Sequence, residues 1–160
     1  MATAYIALGS NLGDREEALR SALRRIGALP RTRVVQSSGF HETAPVGGPP
    51  QGIFLNGAAE IQTSLKPQDL LDRLRQIEED LGRPPERVRW GPRVIDLDLL
   101  DYDGLVLRKP ELELPHPRMH ERSFVLVPLA EIAPDWQHPV LEQTATDLLE
   151  NLNADRPPDR

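Results

Sequence analysis

The chain has 160 residues, 39% hydrophobic and 28% charged, with a net charge of −6. That suffices for one domain with a buried core, and the acidic balance excludes general nucleic-acid binding through a basic surface. The absence of cysteine excludes disulfides and thiolate zinc sites. No apolar run approaches the ~18 residues of a membrane span, and no signal-peptide pattern opens the chain, so a cytoplasmic location is expected.

Thr3 to Leu8 is expected to form a first strand, followed by a turn over residues 9–13. That turn lacks the Gly-Lys-Ser/Thr of a phosphate loop. Asp14 suits a helix N-cap, with Glu17 as its capping-box partner. The helix runs to Ile26, turning Ala18, Leu19, Ala22, Leu23 and Ile26 inward, and Gly27 stops it. Thr32 to Phe40 and Ile53 to Thr63 read as two further strands. Residues 43–52 between them are too rich in Gly and Pro for regular structure. Pro67 opens a second helix, whose apolar stripe is Leu70, Leu71, Leu74, Ile77 and Leu81, with Gly82 as its stop. Val94 to Leu100 is a fourth strand. A hairpin through Asp101 to Gly104 into Leu105 to Leu107 follows, then short helices over 117–132 and 144–152. The tail from Ala154 to Arg160 is expected to fray. The predicted class is α+β: a ferredoxin-like β-α-β-β-α-β antiparallel sheet with helices packed on it, plus a C-terminal hairpin and short helices. Residues 1–153 are expected to form a single domain. Such a fold hosts many functions and does not itself select one.

The most informative segment is Gly91-Pro-Arg-Val-Ile-Asp-Leu-Asp-Leu-Leu100. Side chains two apart on a strand share a face, so Asp96 and Asp98 point one way while Ile95, Leu97 and Leu99 point into a core. Adjacent carboxylates repel and raise each other's pKa. A divalent cation resolves that conflict, and magnesium commonly takes one or two carboxylates plus substrate phosphates. The alternative is a pair of solvated aspartates on a half-exposed strand. Residues 82–93 carry four arginines, suited either to phosphate or to nearby acids; flanking glycines would let the segment close as a lid. His116, between two prolines, is a stiffened, chargeable side chain beside Arg122 and fits phosphate contact. His116 and His120 would also suit a metal pair, but the aspartates already account for a metal. Phe54 and Phe124 are rare aromatics in this chain. They serve either as core or as two rings around a flat heterocycle. Asn56 shares the strand face of Phe54 and offers a donor and an acceptor to a heterocycle edge.

Three segments together resemble one family. They are Tyr5-Ile-Ala-Leu-Gly-Ser-Asn-Leu-Gly-Asp14, the Gly91 to Leu100 run, and Pro115-His-Pro-Arg-Met-His-Glu-Arg-Ser-Phe124. They are similar to the 6-hydroxymethyl-7,8-dihydropterin pyrophosphokinases of folate biosynthesis, in order and spacing over residues 3 to 140. The resemblance implies transfer of pyrophosphate from ATP to the pterin hydroxymethyl group, with release of AMP. It implies Asp96 and Asp98 as ligands of two magnesium ions, with Arg83 and Arg93 as catalytic lid residues and Trp90 as part of the lid. Thr43, Pro45, Val46, Phe54, Asn56 and Phe124 would hold the pterin. Arg75, Glu78, Trp90, Arg93, Leu99, His116 and Arg122 would hold ATP. Arg75 stands where some relatives carry Gln. The implied partners are the two small substrates, with no nucleic acid and no membrane, and a monomer is expected. A metal-dependent nuclease and a non-catalytic ligand-binding module are the rival readings of the same residues.

Overall fold

Strand β1 (Ala2–Ser10) sorts its side chains by alternation, as a pleated strand must. Ala2, Ala4, Ile6 and Leu8 enter one core, while Tyr5 and Ala7 face a second. The computed structural model describes residues 1–43, 53–82 and 94–154. Helix α1 (Arg15–Gly27) starts where Asp14 accepts the Glu17 N–H at 3.1 Å, as the cap predicted. The reciprocal half of the capping box is replaced: the Glu17 carboxylate accepts from Arg24 at 2.7 Å instead. A charged donor one turn and more along the helix offers the carboxylate a stronger partner than a backbone amide.

The chain continues through β2 (Thr32–Ser37), β3 (His41–Thr43), β4 (Phe54–Thr63), α2 (Pro67–Asp80) and β5 (Asp96–Tyr102). The main sheet has the order β2-β4-β1-β5, with β3 also pairing β4, and every pairing is antiparallel. Pro67 stands in the first turn of α2, as expected. The stripes of α1 and α2 cover one face of the sheet; Leu19, Ile26, Leu70 and Leu74 are fully buried there. Beyond β5 come β6 (Leu107–Lys109), β7 (Leu112–Leu114), a 3-10 turn (Met119–Glu121), α3 (Ser123–Ile132) and α4 (Ala145–Ala154). Leu100, Met119, Val125, Leu129 and Ala145 form a second core on the opposite face. The sheet is thus sandwiched between two helical layers. No helix among the described residues is long and apolar enough to cross a membrane. Leu74→Ala, at a fully buried site, is expected to cost about 2–5 kcal/mol in denaturant unfolding; a loss below about 1 kcal/mol would contradict this packing.

Three expectations change. The predicted strand 32–40 stops at Ser37, and a separate short strand β3 follows. Residues 105–107 do not fold back on β5; the hairpin is β6 against β7. The turn at Asp103 is tied to β1 instead, the Asp103 N–H donating to Thr3 O and the Thr3 N–H to Asp103 Oδ1. Finally, the register of β5 against β1 shifts between Leu99 and Asp101, so Leu100 is an extra residue. Such a bulge resets the alternation. Leu100 stays with the second core, as plain alternation places it, and the bulge returns Tyr102 to the first.

Candidate active site

Asp96 and Asp98 occupy the start of β5, partly exposed on one face, while Ile95, Leu97 and Leu99 are buried on the other. The pairing places Asp96 opposite Gly9 and Asp98 opposite Ala7 on β1. The Asp98 carboxyl is pushed up to about 7, first by burial and next by the Asp96 charge, with Arg75 and Arg122 pulling the other way. Among the described residues no cluster of three or more His, Asp or Glu side chains could enclose a metal. Two carboxylates in mutual conflict nevertheless suit a dication that draws its other ligands from phosphate and water. Below about 7 the folded protein holds a proton on Asp98 that the unfolded chain would lose nearer 3.8. That stabilisation of the ion-free protein is full below the ordinary value and is lost as pH rises through about 7. A bound cation must displace the proton. Divalent-ion affinity, measured by Mn²⁺ titration, is therefore expected to rise about tenfold per pH unit from about pH 5 to 7 and then level off. Constant affinity across that range would contradict the assignment.

On the other side of β1, Gly9 faces Asn56 of β4. One β1 residue therefore separates Asn56 from Asp96. A Cβ at Gly9 would lie 3.1 Å from Asn56 Oδ1 and 3.8 Å from the Phe54 ring. Glycine thus leaves room for Asn56 and Phe54 to converge over the strand. Asn56 is buried, and its amide nitrogen donates to Thr43 Oγ1 at 2.6 Å. That bond fixes the amide, with β3 delivering Thr43 opposite Phe54. Phe124 opens α3, half-buried against the second core, and the Arg122 guanidinium carbon lies 5.7 Å from its ring centre. Ser10, next along β1, has a buried hydroxyl with no hydrogen-bond partner among the described residues.

A cavity of about 160 Å³ opens beside Asp98, lined by Leu71, Arg75, Leu99, Glu111, Leu112, Glu113, His116 and Pro117. His116 is held by its own N–H on Leu100 O at 2.9 Å. Its Nδ1 accepts the Arg118 N–H at 3.3 Å, which leaves the ring proton on Nε2. Burial first, then Arg122, lowers the His116 pKa to about 4. The sequence suggested a chargeable imidazole. In the structure it is a neutral donor near pH 7, because burial first, and the Arg122 guanidinium next, disfavour a second ring proton. His120 lies edge-on to His138, ring centres 6.2 Å apart, and not on the cavity. Arg75 and Glu78 pair at 3.1 Å, with Glu78 fully buried. Glu111, Leu112 and Glu113 escaped the sequence reading because their hairpin was expected elsewhere. Pro45, Val46, Arg83, Trp90 and Arg93 lie outside the described residues, as does the tail from 155 onward.

Residues 5–134 match the family model described as 7,8-dihydro-6-hydroxymethylpterin-pyrophosphokinase (HPPK). The chain belongs to the HPPK family. It is 53% identical over 129 residues to the 2-amino-4-hydroxy-6-hydroxymethyldihydropteridine pyrophosphokinase of Bacillus subtilis, covering 81% of this chain and 77% of that protein. It is 44% identical over 149 residues to the folic acid synthesis protein FOL1 of Dictyostelium discoideum. There it spans 92% of its own length but 22% of the relative's. Among solved structures it resembles wild-type Plasmodium falciparum HPPK-DHPS with pteroate, at a TM-score of 0.73 and 15% identity. That likeness covers 94% of this chain and 42% of the other, and it concerns the fold alone. Mixed helices and antiparallel sheet with HPPK-like neighbours therefore describe the architecture.

Proposed function

We propose that the chain transfers the terminal pyrophosphoryl group of ATP to the hydroxymethyl group of 6-hydroxymethyl-7,8-dihydropterin, giving the pterin diphosphate and AMP. One observation carries this reading: a single glycine of β1 separates the buried amide of Asn56 from the Asp96 carboxylate. A donor-acceptor edge for a heterocycle thereby sits beside a pair of carboxylates suited to a phosphate-bound cation. Family membership and the names of close relatives support the same reaction. The strand order supports a ferredoxin-like topology for the sheet.

Asn56 and Thr43 hold the pterin edge, while Phe54 and Phe124 hold its faces and aim the hydroxymethyl group toward β5. Asp96 and Asp98 would hold two magnesium ions; when bound, these would neutralise phosphate charge and polarise the groups around the reacting phosphorus. The pterin hydroxyl oxygen forms its bond to the β-phosphorus of ATP and releases its proton to water, while the bond from that phosphorus to the α–β bridging oxygen breaks, its electron pair leaving with AMP. His116, neutral with its proton on Nε2, donates to a phosphate oxygen without adding charge, and Arg122 supplies the charge. Arg75 and Leu99 border the nucleotide. Arg83, Arg93 and Trp90 would close over the phosphates, expelling water and adding cationic donors. Phosphoryl transfer depends mainly on such alignment and charge neutralisation. The test is to mix the protein with ATP, magnesium and the reduced hydroxymethylpterin and to identify the nucleotide product. AMP in equal amount to pterin diphosphate is expected; ADP would overturn the proposal.

A further inference from the structure

The strand that carries the aspartates lies at an edge of the main sheet, so among the described residues its outward backbone groups have no neighbouring strand. In an antiparallel ladder alternate residues turn their N–H and C=O away from the partner. Leu97, between the two aspartates, is such a residue. Its N–H donates to Glu78 Oε2 at 2.7 Å, and its C=O accepts from Arg75 Nη1 at 2.9 Å. The same Arg75 nitrogen donates to both Glu78 oxygens, at 3.1 and 3.2 Å. One helical turn of α2 therefore substitutes for a missing strand, gripping both polar groups of one residue.

We propose that Glu78, closed by Arg75, is a positioning residue that fixes Leu97 and thereby sets the direction and spacing of the Asp96 and Asp98 carboxylates. The sequence reading gave Glu78 a nucleotide contact; its side chain, 1% exposed, is instead committed to the strand. A charge buried this far is costly unless paired and hydrogen-bonded. Here Arg75 supplies the pairing and the Leu97 amide supplies a charge-assisted bond shorter than a neutral one. Arg75 is 37% exposed and lines the cavity with Asp98 and His116, so the buried clasp reaches the site's surface. The alternative is a clasp that only stabilises the edge strand. The two differ in what a folded variant does with a metal ion.

The inference rests on the metal role of Asp96 and Asp98, and the experiment separates the two. Mn²⁺ binding is measured with a non-hydrolysable ATP analogue, for the wild type and for Glu78→Gln, alongside melting temperature and amide exchange. Gln keeps an acceptor for Leu97 but loses the charge pair. Its ion affinity is expected to fall about 10- to 100-fold, as for other groups that orient metal ligands. Its Leu97 amide should exchange faster, and kcat should drop while KM for the pterin, held from β3 and β4, stays unchanged. A folded Glu78→Gln protein with wild-type Mn²⁺ affinity would overturn the positioning role and leave the metal role standing. A wild type that binds no Mn²⁺ would overturn the metal role and the inference with it. If that variant fails to fold, Glu78→Asp decides, since it keeps the charge and shortens the reach to Leu97: a fall in Mn²⁺ affinity supports the positioning role, and wild-type affinity overturns it.

Discussion

Asp98→Ala is expected to leave a folded protein whose turnover falls by about 10³-fold or more, equivalent to about 4 kcal/mol of transition-state stabilisation. Two features make the effect lopsided. Asp98 sits on the face of β5 that is not committed to the principal core, so its removal opens no cavity there. Its carboxyl is also held in conflict with burial and with Asp96, the causes that push it up to about 7. Deleting a strained charge relieves the ion-free protein, so the melting temperature should stay level or rise. Active sites commonly trade stability for function in this way. Turnover within a few-fold of wild type would contradict the role assigned to Asp98. A collapse of the fold would contradict its placement.

The second large effect is expected at Gly9. Even a methyl group there would stand 3.1 Å from Asn56 Oδ1, and Gly9→Val adds two more carbons. Asn56 cannot swing aside easily, because its amide nitrogen is fixed on Thr43 Oγ1 at 2.6 Å. Pterin affinity is expected to fall about 10- to 100-fold, since displacing the Asn56 amide leaves a buried polar contact unmade at a cost of about 1–3 kcal/mol. The strand itself tolerates valine, as β-branched residues suit pleated backbone. Calorimetric titration with the pterin reads the loss directly. Wild-type affinity in Gly9→Val would show that the heterocycle does not meet Asn56.

Much of the fold was legible in the chain because its elements follow strong periods. The stripe from Leu70 to Leu81 placed α2, and the cap at Asp14 placed α1. The two-residue period of Ile95 to Leu99 also gave the direction of the aspartates, since one face had to be apolar. What escaped had no local signal. The turn at Asp103 bonds to distant Thr3, and the hairpin forms further along, between β6 and β7. The short strand β3 exists because β4 offers it an edge opposite Phe54 and Asn56. Glu78 carried a nucleotide contact implied by the resemblance, and only its fit to the Leu97 backbone explains its burial. His116 was placed correctly beside Arg122, yet that proximity, with burial, removes the charge the sequence suggested. The site as a whole is a matter of register: Asn56, Gly9 and Asp96 stand far apart in the chain and side by side in the sheet.

The decisive measurement is a crystal structure with Mn²⁺ and a non-hydrolysable ATP analogue, read by anomalous scattering. The account predicts ion peaks bridged by the oxygens of Asp96 and Asp98, with the nucleotide's phosphate chain on their far side. Bound nucleotide with no ion at those two carboxylates would contradict it.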